Sequence, residues 1–304
     1  MYFNKTDVDL MINELEKNPN SPISQKLLHP YKAREFAISC VKNNMEIPEK
    51  IVDVLCKSPE FSYYVIIDFL DYEYDVTLGY RNLKPNEEKK SEIPEKLLLS
   101  VAQHDAYAQH LSIMLIERSK LIPLDIADVL IQSPNHCYSY TTEVLLPNRI
   151  KPSETFIRRI SEDPFTSLNF ARTLIKAKLD VPDIIFDAII KDEDTRTQFA
   201  VSTVASQWEL PDKFIHAIAT DSYDSYRLVH AMLYQGRKDI SEVPKELINA
   251  VAKDEADSFK LMGYLQREFK MEVPPAISNS AKKYFMYREE RFNENYFEKL
   301  YKQL

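Results

Sequence analysis

The chain has 304 residues, 44% hydrophobic and 28% charged, with 17 prolines but only 3 glycines, where average usage gives roughly 20 glycines. Loops that cradle phosphate need glycine where backbone approaches the ligand, so composition argues against a P-loop or Rossmann site and against glycine-turned all-β folds. A net charge of −8 argues against broad adhesion to nucleic acid or to an anionic membrane.

A helical pattern starts almost at once, at about residues 6–17, and predicts a cap helix within residues 1–21. His29-Pro30 then opens a degenerate unit with an apolar stripe of Ala33, Phe36, Ala37 and Cys40. Apolar–proline steps follow at Ile47-Pro48, Ile93-Pro94, Ile122-Pro123, Val181-Pro182, Leu210-Pro211, Val243-Pro244 and Val273-Pro274, and Lys151-Pro152 fills the remaining gap. From Pro48 the proline intervals are 46, 29, 29, 30, 29, 33 and 30 residues. A period near 30 sustained along a chain marks a stacked repeat protein.

Each unit repeats one internal pattern. Proline is expected at the first helical position, where its missing N–H costs nothing. Acidic residues such as Glu49, Glu95, Asp183 and Asp212 follow at the positive end of the helix dipole. Apolar residues at places 4, 5, 8 and 9 of the unit form one helical face, as in Ile51, Val52, Leu55, Cys56 and in Ile185, Phe186, Ile189, Ile190. At place 11 stands a capping residue: Ser58, Ser133, Asp163, Asp192, Asp221 or Asp254, with His104 in the Pro94 unit. The second helix carries a stripe at places 15, 18, 19 and 22, small alternating with large, as in Ser62, Val65, Ile66, Phe69 and Ser225, Leu228, Val229, Met232.

The predicted fold is all-α: a right-handed α-solenoid of about eight stacked helical hairpins with helical end caps. It is expected to form a single domain over 1–304, with a cap in 1–21, hairpin repeats over 22–275 and a second cap in 276–304. The phrase Asp163-Pro164-Phe-Thr-Ser167-Leu-Asn-Phe170-Ala171-Arg172-Thr-Leu174 is similar to tandem repeats of uncharacterised phage and bacterial proteins. Those repeats run aspartate-proline, aromatic, alanine-arginine, valine-leucine, lysine-glycine-arginine; here only Gly236-Arg237 echoes the last element. More loosely the chain resembles HEAT-type helical repeats. Neither resemblance carries a catalytic residue.

The period breaks between Pro48 and Pro94, where about 17 extra residues fall mostly within Asp75–Glu92 and include Tyr80 and Arg81. An insertion in one repeat is either a loop on the binding face or a tolerated excursion, since loop-closure entropy grows slowly with length. Just before it, Asp68, Asp71, Glu73 and Asp75 form an acidic helix end, which suits solvation, a divalent cation or a basic partner. The six histidines do not converge in sequence, and no HExxH is present. Cys40, Cys56 and Cys137 all map to core places, which suits packing rather than nucleophilic chemistry. Trp208 is read as an inter-helix plug, with an interface anchor or a base-stacking surface as functional alternatives. The aromatic-rich end helix, with Phe285, Tyr287, Phe292, Tyr296 and Tyr301, either caps the last hairpin or self-associates.

Places 17, 21 and 24 of the second helices predict one outward face. It reads Tyr64, Asp68, Asp71 early and Arg227, Ala231, Tyr234, then Lys260, Tyr264, Arg267 late. Together with Tyr80 and Arg81 it is the candidate binding surface for a protein partner, because tyrosine beside charge suits protein recognition. No catalytic, cofactor-binding or metal-ligating constellation is found, so the sequence predicts a non-enzymatic interaction scaffold without cofactor. The phage resemblance suggests an accessory protein acting on a host protein. The alternatives are a HEAT-like nucleic-acid binder or glycosylase-like protein, disfavoured by the net charge, and a hydrolase centred on Asp68–Asp75. Three sparse cysteines and no signal-peptide pattern predict the cytoplasm, and no apolar run is long enough to span a membrane.

Overall fold

The structure is a computed structural model that describes residues 3–77, 92–206, 208–235 and 239–289; the side chains of 74–77 and 285–289 lie outside the description. The described residues are helical throughout, with no strand. After α1 (Lys5–Lys17) the helices run as short–long pairs, the second helix of the fourth pair being lengthened by the π-helix Thr141–Leu145. These are α2 (Pro22–Leu27) with α3 (Pro30–Lys42), α4 (Glu49–Leu55) with α5 (Pro59–Thr77), α6 (Glu95–Ala102) with α7 (Asp105–Glu117), and α8 (Leu124–Leu130) with α9 (Pro134–Tyr140). Then come α10 (Glu154–Ile160) with α11 (Pro164–Lys176), α12 (Asp183–Lys191) with α13 (Glu193–Ala205), α14 (Asp212–Ile218) with α15 (Ser222–Tyr234), and α16 (Lys245–Val251) with α17 (Glu255–Tyr264). The last described helix is α18 (Pro275–Glu289). No helix among the described residues is long and apolar enough to cross a membrane.

The prolines sit one place earlier than expected. Pro48, Pro94, Pro123, Pro182, Pro211 and Pro244 are N-caps, with extended ψ of 127–140°, and the residue after each begins the helix, charged in every case but Leu124. Proline's fixed φ serves at either position, but these prolines offer no side-chain oxygen, so no side-chain cap bond forms at these six helices. Five of the second helices carry the expected side-chain cap. Ser133, Asp163, Asp192, Asp221 and Asp254 each accept the backbone N–H three residues on, at 2.7–3.2 Å. His104 occupies its cap place without a side-chain bond, and in the Pro152 unit the cap is Ser153.

Glycine scarcity has a second consequence at the other end of the helices. Asn44, Ser119, Arg149, Lys178 and Lys270 hold left-handed φ of 48–60°, the conformation that usually selects glycine after a helix. The next residue's N–H closes each turn: Met45 to the Cys40 carbonyl, Lys120 to Leu115, Ile150 to Leu145 and Leu179 to Leu174, at 2.8–2.9 Å.

The apolar stripes build the core. Places 4 and 8 are fully buried: Ile51 and Leu55, Ile185 and Ile189, Phe214 and Ile218, Leu247 and Val251. Place 9 (Cys56, Ile190, Ala219, Ala252) is only half-buried, at the fringe of the same face. The small residue at place 15 does more than admit a close neighbour. The hydroxyls of Ser62, Ser225 and Ser258 donate to the carbonyls of Leu55, Ile218 and Val251, seven residues back at the end of the preceding helix. Thr195 reaches Ile189 and the Cys137 thiol reaches Ile131 in the same way. Five of the pairs are thus stapled across their own turns.

The chain divides into two compact units, Met1–Thr166 and Ser167–Leu304. In the first, α3 packs on α5, α5 on α7 and α7 on α9, while α4 packs on α6 and α6 on α8. In the second, α13 packs on α15 and α15 on α17, α14 on α16 and α16 on α18, and α18 also lies against α17. Side-chain pairs keep the same register. Lys213–Asp183, His216–Glu246 and Arg172–Ser202 are 30 residues apart. In the first unit Lys96–Glu49, Arg118–Asp71 and Lys120–Glu73 are 47 apart. The excess of 17 residues matches the predicted insertion, whose residues 78–91, with Gly79, Tyr80 and Arg81, lie outside the described residues, as do Phe292, Tyr296 and Tyr301.

Candidate functional site

The predicted outward face falls in both units. In the first, the Tyr64 ring on α5 is partly exposed, and the Arg34 guanidinium from α3 lies over it, 4.5 Å from its centroid. Arg34 Nη2 also stands 3.8 Å from Asp68 Oδ2. Burial nevertheless holds the Asp68 carboxyl above its ordinary pKa, outweighing the pull of Arg34 and Lys42.

At the acidic end of α5, Asp71 and Glu73 are paired within the fold. Arg118 donates to Asp71 at 2.9 Å, and Lys120 donates to both Glu73 oxygens at 2.7–2.9 Å. These two cations come from the residues just after α7 and neutralise the carboxylates that oppose the α5 dipole. No group of three or more His, Cys, Asp or Glu side chains among the described residues is placed to hold a metal.

Around Tyr64 the fold gathers aromatic side chains that spacing alone did not connect. Tyr31, 65% exposed, meets Phe61 edge-on at 5.0 Å. Tyr63 packs on Tyr64 at 5.4 Å and on Tyr107 at 5.1 Å, and its hydroxyl is hydrogen-bonded to His110 Nδ1. His104 lies 4.6 Å from Tyr107. Two histidines that do not share a helical face in sequence therefore converge on one pair of tyrosines. A signal for part of this was present. Tyr31, Phe165 and Tyr223 each stand at the second residue of a long helix, and all three are more than half exposed.

In the second unit the predicted Arg227, Tyr234, Lys260 and Tyr264 belong to one surface on α15 and α17. His230 links it, 4.7 Å from Tyr264, 5.9 Å from Tyr234 and 6.2 Å from Tyr226. Lys260 Nζ lies 5.7 Å from the Tyr223 centroid and 5.8 Å from that of Tyr226, and the Arg227 guanidinium lies 5.9 Å from Tyr223. Burial, then the neighbouring Tyr264, pushes the Tyr226 phenol up to about 12. The bond to Asp257 raises the Lys260 ammonium. Arg267 is exposed in the turn of π-helix Leu265–Phe269 that continues α17. Ala231, expected on this face, is buried.

Trp208 sits in an aromatic cluster, 6.1 Å from Phe186 and 6.3 Å from Phe199, with Phe214 completing it. That is the plug reading. Cys40 and Cys137 are buried, and burial pushes both thiols up to about 12. A groove of about 760 Å³ in the first unit, beside α1, α4 and α6, is lined by lysines, glutamates, Asn44 and apolar side chains but by no histidine, cysteine or hydroxyl group. Its Lys96 is already bonded to Glu49 and Asp53. Comparison with protein-family models, with curated proteins and with solved structures finds no match.

Proposed function

We propose that this protein is a non-enzymatic helical-repeat scaffold that binds a protein partner through the outward faces of its long helices. The observation that carries the reading is the surface of Tyr223, Tyr226, Tyr234, Tyr264, Arg227 and Lys260, which combines exposed Tyr223 and Tyr234 and half-buried Tyr226 and Tyr264 with cations near the Tyr223 and Tyr226 rings. Tyrosine and arginine are the residues enriched where proteins bury hot spots. The same reading takes each unit as a run of stacked hairpins, in the manner of an α-solenoid, supported by long-on-long and short-on-short helix packing and by the 30-residue register of side-chain pairs. The resemblance of the Asp163–Leu174 phrase to phage and bacterial repeats supports an accessory role directed at a host protein.

The test is affinity capture from cells of the native source with the wild-type chain, the double variant Tyr234→Ala/Arg267→Glu, and the control Asp183→Ala on α12. The reading requires one captured protein that is lost with the double variant and kept with the control. Identical captured sets for all three chains would sink it.

A further inference from the structure

The aromatic rings of the first unit are set in rows across successive long helices. Place 14 of the unit is Phe61 on α5, Tyr107 on α7 and His136 on α9, and place 17 is Tyr64 on α5 and His110 on α7. On α3 the ring comes one place earlier, at Tyr31, which meets Phe61 edge-on at 5.0 Å while His29 stacks on it at 6.0 Å. Buried Tyr63 joins α5 to α7, its ring 5.1 Å from Tyr107 and 5.7 Å from His110. Tyr31 and Tyr64 are 65% and 37% exposed, His104 and His110 are exposed, and Phe61 and Tyr107 are half-buried. In the second unit α13, α15 and α17 carry Thr195, Asp224 and Asp257 at place 14 instead.

With histidine neutral, the charge around these rings sums to zero. The first three turns of α3, α5 and α7, and the turn before each, hold Lys26, Lys32, Arg34 and Lys57 against Glu35, Glu60, Asp68 and Asp105. Lys32 is bonded to Glu35 at 2.6 Å, and Arg34 lies 3.8 Å from Asp68 and over the Tyr64 ring. Such a surface has no cationic groove of the kind that single-stranded nucleic acid needs, and no surplus of either sign to select a charged peptide. It offers ring faces and edges, with phenol and imidazole groups among them. Spacing narrows the ligand further. Packed helices lie about 8–10 Å apart, and α3, α5, α7 and α9 pack in that order. A polyproline II segment turns once in three residues, or about 9 Å. One proline per turn therefore meets one helix.

We propose that the rows on α3, α5 and α7 are a docking surface for an uncharged, proline-rich segment of a partner protein in the polyproline II conformation. The segment crosses the helices with its pyrrolidine rings on Tyr31, Phe61, Tyr64 and Tyr107. The inference rests on the protein-binding reading, from which it takes only that the ligand is a protein segment, and it names the chemistry of that segment at a surface of the first unit. Aromatic-lined surfaces suit such a chain because it is already held in its bound conformation and loses little entropy on docking. Its carbonyls make no bonds within the segment, so they are open to hydroxyl and imidazole donors at the rings.

The probes are fluorescein-labelled dodecaproline, a Gly-Ser dodecapeptide that is equally uncharged but flexible, labelled maltohexaose and labelled dodecathymidylate, each titrated by anisotropy against the full chain. The expected result is saturable binding of dodecaproline, with the Gly-Ser peptide weaker by about tenfold or more. Tyr31→Ala and Tyr64→Ala are each expected to weaken dodecaproline by about three- to tenfold, while Tyr31→Phe, which keeps the ring, retains most of the affinity. Circular dichroism checks that each variant folds, and Tyr234→Ala on α15 must leave dodecaproline binding unchanged. No binding of dodecaproline at millimolar protein, equal binding of the Gly-Ser peptide, or preference for maltohexaose or the thymidylate would each overturn the assignment. An unchanged affinity in folded Tyr31→Ala or Tyr64→Ala, or an equal loss with Tyr234→Ala, would do the same. A partner captured by the wild type and lost with Tyr234→Ala/Arg267→Glu, without dodecaproline binding, would leave the protein-binding reading standing and remove the proline-rich segment. Dodecaproline bound and lost as expected, with identical captured sets from all three chains, would remove the second-unit surface and keep this one.

Discussion

Lys178 holds φ at 57°, where its Cβ crowds the following carbonyl, and nothing in its side chain compensates for that locally. Its role is geometric: it turns the chain after α11 so that the Leu179 N–H reaches the Leu174 carbonyl. Lys178→Gly is therefore expected to stabilise the protein by about 0.5–1 kcal/mol, the strain relieved less the entropy that glycine adds to the unfolded chain. Urea denaturation measures this, and a loss of stability would contradict the account. Tyr140 is the opposite case, a fully buried ring whose hydroxyl accepts the Ile122 N–H at 3.0 Å and donates to the Lys120 carbonyl at 3.2 Å. Tyr140→Phe leaves both backbone groups without that partner and is expected to cost about 1–3 kcal/mol by the same measurement. Neither feature was legible beforehand. A left-handed lysine has no sequence mark, and the Tyr140 hydroxyl finds its partners 18 and 20 residues away through the fold.

At the scale of the helix, local rules carry most of the structure. The caps were legible because an aspartate three residues before the amide it satisfies is a purely local device, and Asp254→Ala is expected to lower stability by about 0.5–2 kcal/mol while Asp254→Asn retains most of it. Thermal and urea unfolding of the two variants side by side separate these outcomes. The apolar stripes were legible for the same reason: Leu247 and Val251 lie on one face whatever the neighbouring helix is. The proline position was misjudged by one residue because both N-cap and first helical turn accept its φ, and only the non-helical ψ of Pro48, 138°, shows which applies. The candidate binding face was legible in part. Arg227, Tyr234, Lys260 and Tyr264 follow from periodicity, but Arg196, Asp224 and Asp257 point into contacts between successive helices. Asp71 and Glu73 looked free because their cations, Arg118 and Lys120, lie 47 residues on, with the insertion between.

For the molecule as a whole, two solution properties follow from what is buried and what is paired. Burial raises the Cys40 and Cys137 thiols from 9.0, and the Tyr140 phenol from 10.0, to about 12. The folded state thus holds these protons more tightly than the unfolded chain. Their contribution to stability is complete below the unfolded values and is lost as pH rises toward about 12. Circular dichroism at fixed temperature is expected to show stability falling between about pH 9 and pH 12, and an unchanged unfolding midpoint across that window would refute it. The second property concerns metals. With Asp71 and Glu73 bonded to Arg118 and Lys120, magnesium, manganese, calcium or EDTA is expected to leave the melting temperature unchanged, whereas a ligated ion would raise it by mass action. A rise of several degrees with any of the three cations would show a site that the pairing does not exclude. The serine staples bear on a different property, the order of events in folding. A bond that closes between Ser225 and Ile218, or between Ser258 and Val251, spans seven residues, and loops of that length meet in roughly 10–100 ns. Each turn is therefore fast to close and indifferent to whether its neighbours have formed, so folding is free to begin at several hairpins in parallel.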